Sequence, residues 1–303
     1  HDQDGNLLSD GTWTNTWDAE NRLNETNNTL KNEKGAYSYD FKFRRVEKKT
    51  FSGETLTSHR KIIYDGWNPV TELDGSNSVV KTYIWGEDIS GTMQGAGGVG
   101  GLLAEINSHG IFFPCYDAGG NIVAYVGTDG KIVAAYEYDA FGRLIGKSGP
   151  LADEFSFRFS TKYYDSETGL YYYGFRYYNP LTGRFLNRDP KEEYTIDKKA
   201  KTLELNPLYV FSENNPISNY DYLGLATAKL TPLTRSAEDE IAAQEAISPK
   251  PTSCSKPGYK PGNCVYLAFY NSGNSWAQDS DNNKVSHVAM RTSQTGSKIV
   301  GFS

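Results

Sequence analysis

Short apolar runs separated by Gly, Asp and Asn dominate the first half of the chain. In one example, the run Asn121–Val126 is followed by Gly127-Thr128-Asp129-Gly130 and then by a second run, Lys131–Tyr138. Asp-Gly supplies the positive φ angles that tight hairpin turns require. The pattern predicts short antiparallel strands, each too small to bury its own face, that pack on their neighbours.

An aromatic residue followed by Asp recurs along this region. The pairs are Trp17-Asp18, Tyr39-Asp40, Tyr64-Asp65, Tyr116-Asp117, Tyr138-Asp139, Tyr164-Asp165 and Tyr220-Asp221. Successive gaps are 22, 25, 52, 22, 26 and 56 residues, and a degenerate unit at Trp85-Gly86 divides the gap of 52. A period of this size indicates a repeat architecture, the alternative being a meander or sandwich in which the period has no meaning. The gap of 56 predicts that the last stretch is built differently.

Composition supports a mainly β fold. The chain has 22 Tyr, 30 Gly and 2 Met, and Tyr suits a half-buried pleated surface whereas Gly suits turns. The 31 basic and 37 acidic residues give a net charge of −6, which argues against a mainly electrostatic nucleic-acid binder, because such a protein would show a basic stripe. No apolar run reaches the ~18 residues of a membrane span, and three Cys are too few for a disulfide-stapled fold.

The N-terminus carries no recognisable targeting segment. The chain begins at His1, and no basic stretch leads into an apolar core as in a signal peptide. We therefore expect a piece of a longer protein, with any localisation signal upstream.

An ordered set of motifs follows the repeats. It consists of Tyr164-Asp165-Ser166-Glu167-Thr168-Gly169-Leu170-Tyr171-Tyr172, Arg176-Tyr177-Tyr178-Asn179-Pro180, Thr182-Gly183-Arg184-Phe185, Arg188-Asp189-Pro190, Asn214-Asn215-Pro216 and Asp221-Tyr222-Leu223-Gly224-Leu225. With the Tyr-Asp units, this set resembles the YD repeats and repeat-associated core of the Rhs family. The likeness covers residues 1–225. Members of that family include bacterial polymorphic toxins, toxin-complex subunits and cell-surface proteins.

The resemblance implies an antiparallel β-strand shell that encloses a variable C-terminal domain. Six or seven repeats are too few to close such a shell, so we expect it to be incomplete. Residues 1–160 would form the shell and 161–225 the repeat-associated core, with a small α/β tip over 226–303. Within the tip, we expect a linker over 226–262, with a short helix at Ala237–Ile247, and a toxin segment over 263–303.

The resemblance also implies self-cleavage. In these families the core ends in Asp, usually Pro, any residue, Gly and Leu, and an aspartic-protease activity cuts after that Leu. Here the bond would be Leu225–Ala226, with Tyr222 in place of Pro. Two neighbouring carboxyl groups that share a proton supply the acid and the base of amide hydrolysis. Asp221 and, by resemblance, Asp189 are the candidate pair.

Arg184 is the candidate to stabilise the oxyanion or to hold one carboxylate ionised. Asp197 is a weaker substitute for the second acid. The alternative interpretation makes Asp189 and Asp221 ordinary turn and cap residues beside Pro and Gly.

A second candidate chemistry lies in the tip. Cys264 begins an apolar run and His287 lies in a strand-like run, an order that looks like NlpC/P60- and CHAP-type papain-fold hydrolases. A buried Cys with an ordinary strand His is the alternative, and a Cys254–Cys264 disulfide is another. His1, His59 and His109 lack metal-ligand spacing, so we predict no metal and no cofactor. The segment Gly91–Leu103 contains Gly-x-Gly-x-x-Gly without a strand–turn–helix context, and we interpret it as a turn rather than a phosphate site.

The sequence thus predicts the C-terminal part of an Rhs polymorphic toxin, secreted or at the bacterial surface, that releases an effector by cutting after Leu225. Its expected partners are the rest of its own shell, an immunity protein and delivery machinery. The first alternative is a non-enzymatic surface adhesion protein whose Tyr and Trp faces bind carbohydrate. The second places the activity in a Cys264–His287 amidase or peptidase.

Overall fold

A computed structural model describes residues 1–190 and 208–230, together with the backbone of short strands at 194–197, 202–205, 266–270, 277–278, 284–285 and 287–291. Twelve strands form one antiparallel sheet in which each strand pairs with its neighbours along the chain. They are β1 Thr14–Trp17, β2 Leu23–Asn28, β3 Glu33–Tyr39, β4 Arg45–Ser52, β5 Thr55–Asp65, β6 Asn68–Leu73, β7 Val79–Trp85, β8 Leu102–Asn107, β9 Gly110–Tyr116, β10 Ile122–Gly127, β11 Ile132–Tyr138 and β12 Leu144–Ser148. The prediction of a large antiparallel β fold is confirmed.

The repeated Asp closes a turn between strands. The Asp18 carboxylate accepts hydrogen bonds from the backbone N–H groups of Glu20 and Arg22 and from the Arg22 Nε, at 2.8–3.0 Å. The same arrangement with the residues two and four positions later recurs at Asp40, Asp74, Asp117 and Asp139. Because the side chain supplies the acceptors that a tight turn needs, this motif is set by local sequence.

The repeated aromatic residue joins each unit to the one before it. Its ring N–H or O–H donates to a backbone carbonyl oxygen 10–19 residues earlier in the chain. The donor–acceptor pairs are Trp17–Leu7, Tyr39–Leu23, Tyr64–Arg45, Trp85–Pro69, Tyr116–Leu102 and Tyr138–Ile122, at 2.6–3.0 Å. A half-buried aromatic side chain with a polar tip serves both packing and bonding, which gives the period a structural meaning.

A second layer covers one face of the sheet. Its four-stranded sheet consists of β13 Tyr163–Asp165, β14 Leu170–Tyr172, β15 Tyr177–Asn179 and β16 Arg184–Phe185. Single turns of 3₁₀ helix lie at Phe159–Thr161 and Ser212–Asn214. Buried aromatic residues of both layers, such as Tyr83 and Phe157, share one hydrophobic core. Residues of the repeat region and residues of the expected repeat-associated core therefore share one hydrophobic core and do not pack as separate bodies.

A buried ion pair links the two layers. Arg45 of β4 and Asp165 of β13 are fully buried, and Arg45 donates to both carboxylate oxygens at 2.6 and 3.1 Å. Lys48 adds a contact at 2.6 Å. Burial opposes the charge of Asp165, but Arg45 and Lys48 hold the pKa of that carboxyl below its usual value. The Asp of this Tyr-Asp pair therefore serves the core instead of capping a hairpin turn.

The glycine-rich segment folds around an acidic side chain of its own chain. Asp88 is buried, and its carboxylate accepts from the N–H groups of Ser90, Ala96 and Gly98 at 2.7–3.0 Å. Those N–H groups are the kind that bind phosphate in other proteins. With Asp88 in that position, the segment is a structural loop between β7 and β8.

Eight further strands complete the described backbone: β17 Tyr194–Asp197, β18 Thr202–Leu205, β19 Asn219–Tyr222, β20 Ala226–Lys229, β21 Tyr266–Tyr270, β22 Ala277–Gln278, β23 Lys284–Val285 and β24 His287–Arg291. They pair as β17–β18, β19–β20, β21–β24 and β22–β23. The helix expected at 237–247 and most of the 226–262 linker lie outside the described residues. Among the residues that are described, no helix is long and apolar enough to span a membrane.

Candidate functional site

The bond that the sequence marks for cleavage lies at the end of a tight turn. β19 and β20 form an antiparallel hairpin in which Tyr222 pairs with Ala226, and the Leu225 N–H donates to the Tyr222 carbonyl oxygen at 3.0 Å. Leu223 and Gly224 have left-handed φ angles of 57° and 76°. Left-handed backbone is unfavourable for Leu, so the surrounding structure must hold the turn in place.

Asp221 lies beneath this turn. Its side chain is 2% exposed, and one carboxylate oxygen accepts from the Gly224 N–H at 2.6 Å. Burial raises the pKa of the Asp221 carboxyl to about 6, against the opposing effects of Arg176, the Gly224 N–H and Lys162. Asp221 can therefore carry a proton near neutral pH, as a general acid requires.

Arg176 connects Asp221 to Asp189. It immediately precedes β15, and its side chain is 2% exposed. One terminal nitrogen lies 2.8 Å from Asp189 and 3.9 Å from Asp221. Its Nε donates to the Gly224 carbonyl oxygen, so the same guanidinium contacts both acids and the backbone of the turn. Burial lowers the pKa of Arg176, and the two carboxylates act against that effect.

Asp189 occupies the solvent side of this group. Its side chain is 19% exposed, compared with 2% for Asp221. Its backbone N–H donates at 3.0 Å to the Leu208 carbonyl oxygen, which also accepts from Arg176 at 3.1 Å. A cleft of about 330 Å³ opens beside Asp189 and is also lined by Phe43, Phe175 and Arg188. Solvent therefore has access to Asp189 but not to Asp221.

The structure brings together Asp189 and Asp221, but it uses a different arginine from the one expected. Arg184 is exposed on β16, where it acts electrostatically on Tyr178. Arg176 takes the position between the acids, and sequence reasoning assigned it no role. The available signal was a charged residue inside an otherwise aromatic, strand-forming run, where a cation is buried only if it has partners.

The side chains of the remaining predicted residues lie outside the described part of the chain. The backbone of Asp197 pairs with Thr202 in β17–β18, and its side chain is outside the described part of the chain. His287 lies in β24 opposite Tyr270, again as backbone alone. Cys254 and Cys264 lie outside the described residues. Among the described side chains, no group of three or more His, Cys, Asp and Glu is arranged to hold a metal.

Residues 97–217 match the family model of the teneurin YD shell. The tRNA nuclease WapA of Bacillus subtilis strain 168 is 36% identical over 229 residues, which is 73% of this chain and 9% of that protein. Toxin subunit YenC1 of Yersinia entomophaga is 28% identical over 197 residues, 63% of this chain and 19% of that protein.

The fold also resembles a solved structure. A crystal structure of TcdB2–TccC3 superimposes with a TM-score of 0.52 at 22% identity, covering 71% of this chain and 10% of that one. The chain therefore spans about a tenth of the length of WapA and of this structural neighbour. The repeated turn and aromatic contacts, the ordered motifs and these matches show that this chain is part of an Rhs/YD-repeat shell protein.

Proposed function

We propose that this shell segment cuts its own chain between Leu225 and Ala226 and so separates the residues that follow from the shell. The observation that carries the proposal is a buried Asp221 whose carboxylate contacts the turn preceding that bond, with Arg176 joining it to the solvent-accessible Asp189. Turn and cap residues need no shared, buried arginine, so the arrangement favours chemistry over a purely structural role.

The two acids have different environments, which suggests different roles. The ion pair with Arg176 favours the carboxylate form of Asp189, which then accepts a proton from a water molecule entering through the cleft. The hydroxide adds to the carbonyl carbon of Leu225. Protonated Asp221 donates to the nitrogen of Ala226, and the C–N bond breaks. The products are the carboxyl group of Leu225 and the free amino group of Ala226.

Arg176 orients the reacting peptide and balances charge. Its Nε holds the Gly224 carbonyl oxygen, one residue before the reacting carbonyl, and therefore restricts the turn. Its charge offsets the negative charge that develops when water adds. Arg184, exposed on the other side of β16, has no part in this scheme.

The relatives support a toxin context. WapA of Bacillus subtilis is a tRNA nuclease and YenC1 is a toxin subunit, so we infer that the whole protein is a secreted or surface-located toxin. The shell would contain the C-terminal residues until release, with other shell or toxin subunits as partners. Assays of the released residues 226–303 would then identify their target and any immunity protein that binds them.

The test is the intact mass of the purified wild-type chain beside Asp221→Asn and Asp189→Asn. We expect wild type in two pieces that meet at Leu225–Ala226 and both variants whole. Asp139→Asn is the matched control, because that Asp caps a surface turn far from the hairpin in sequence, and it should cut as wild type does.

A wild-type chain that stays whole would refute self-cleavage and favour the adhesion alternative, which glycan binding would then test. Cutting that persists in Asp221→Asn but stops in Cys264→Ala would place the activity in the tip instead.

A further inference from the structure

Lys162 is a buried cation that the mechanism above does not use. It lies directly before β13 and is 4% exposed. Its Nζ donates to the Gly97 carbonyl oxygen at 2.6 Å and lies 5.4 Å from the centre of the Tyr173 ring. An ammonium group has three donors, so a fully buried lysine requires further stabilisation of its charge.

That stabilisation comes from two carboxylates. Asp221 and Asp88 both attract Lys162, whereas burial lowers the pKa of the lysine to about 8. The charged groups that act on Asp221 are Arg176, Lys162 and Asp189. Lys162 is therefore the second cation that acts on the Asp221 carboxyl, and it does so from within the protein interior.

The partner of Lys162 belongs to the loop that Asp88 holds in place. Gly97 has a left-handed φ of 64°, and a Cβ at this position would lie 3.1 Å from the Leu223 side chain and 3.3 Å from the Lys162 Nζ. The loop, the lysine and the turn before the cleavage bond are thus in mutual contact. A cavity of about 30 Å³ between them is lined by Gly97, Lys162, Tyr173, Gly174 and Leu223, and it can hold a water molecule.

We propose that Lys162 is a positioning residue for self-cleavage, which ties the Gly97 loop of the large sheet to the Leu223–Gly224 turn and places a positive charge near the Asp221 carboxylate. The inference rests on the proposed function. Its consequence is that the site is complete only when the loop between β7 and β8 has folded onto the hairpin, so cutting follows folding of the shell.

The test measures cutting during refolding of the full-length chain. Uncut chains isolated under denaturing conditions are diluted into buffers from pH 5 to pH 9, and the cut fraction is followed by intact mass. Lys162→Met should slow cutting by about tenfold or more, the effect of losing one charge-assisted hydrogen bond. It should also move the alkaline limb of the pH–rate profile to higher pH, because loss of the cation raises the pKa of Asp221 further.

Two variants separate this role from general loss of stability. Lys81→Met removes another buried lysine, which pairs with Glu105 at 2.9 Å on the large sheet, and it should leave the pH profile unchanged. Lys162→Arg retains the charge and should retain the position of the alkaline limb.

Gly97→Ala covers the case in which Lys162→Met does not fold. The added methyl group pushes the Gly97 loop away from the Leu223–Gly224 turn without changing any charge. We therefore expect slower cutting, with the alkaline limb of the pH–rate profile at its wild-type position. Wild-type rates and profiles in folded Lys162→Met or in Gly97→Ala would overturn the role of Lys162 while leaving self-cleavage intact. A wild-type chain that never cuts would refute both proposals.

Discussion

Replacing Asp165 with Asn tests whether the buried ion pair holds the two layers of the protein together. The carboxylate accepts two hydrogen bonds from Arg45 and one from Lys48, and neither Asp165 nor Arg45 reaches solvent. The substitution leaves the Arg45 charge buried without its counter-ion. Removing one partner of such a pair costs about 3–5 kcal/mol of the free energy of unfolding.

The measurement is urea unfolding followed by tryptophan fluorescence. With a slope of about 2–3 kcal/mol per molar urea, the loss corresponds to a midpoint lower by about 1–2.5 M. Asp129→Asn is the control, because its partner Lys131 is 81% exposed and Asp129 itself is 50% exposed. We expect no change of the midpoint for that variant, since solvent screens such pairs.

A third variant distinguishes an uncompensated charge from lost packing. Arg45→Met with Asp165→Leu removes both charges and keeps side chains of similar length, while Lys48 retains its contact with Glu167 at 2.8 Å. We expect this double variant to recover most of the loss, because matched apolar replacements of buried pairs are often neutral. A midpoint for Asp165→Asn equal to that of Asp129→Asn would refute the reasoning.

Two further predictions concern protons and the aromatic contacts. The pKa of Asp221 in the folded state is about 6 against 3.8 ordinarily, so its stabilising contribution is complete below about pH 4 and is lost as pH rises through 6. In chains kept whole by Asp189→Asn, adding Asp221→Asn should therefore raise stability at pH 8 by up to about 3 kcal/mol and change little at pH 3.5; equal urea midpoints at pH 8 would contradict this. Tyr138→Phe removes the hydrogen bond to the Ile122 carbonyl oxygen and should cost about 1 kcal/mol in urea unfolding. Tyr37→Phe, at a buried hydroxyl without a hydrogen-bond partner among the described residues, should be neutral or stabilising, and an equal loss in both would show that the Tyr138 hydrogen bond contributes nothing.

The sequence predicted the elements whose determinants are local. The hairpin turn at Gly127–Gly130 joins β10 to β11, and Gly130 has the expected positive φ of 79°. Asp18, Asp40, Asp117 and Asp139 each close a turn with donors two and four residues away, and strand alternation depends on neighbouring residues alone. The long gap before Tyr220 was also informative, because the last Tyr-Asp pair lies in a separate hairpin.

The sequence could not predict which charged residue serves which acid. Arg184 and Arg176 both lie in strand-forming motifs, and only contact of the Leu223–Gly224 turn with the residues just before β15 selects Arg176. The partner of Asp165 lies 120 residues away at Arg45. Burial, which raises the pKa of Asp221, likewise depends on elements far apart in the chain.

The chain by itself therefore determined its repeat and its turns, because spacing and side-chain chemistry act over a few residues, whereas its two candidate acids came from the resemblance to a known family. The tertiary structure decided how Arg176 joins those acids, with Asp221 buried beneath the turn and Asp189 open to the solvent cleft. It did so because charge interactions in a protein interior depend on distance and desolvation, and these exist only once the second layer has packed on the sheet.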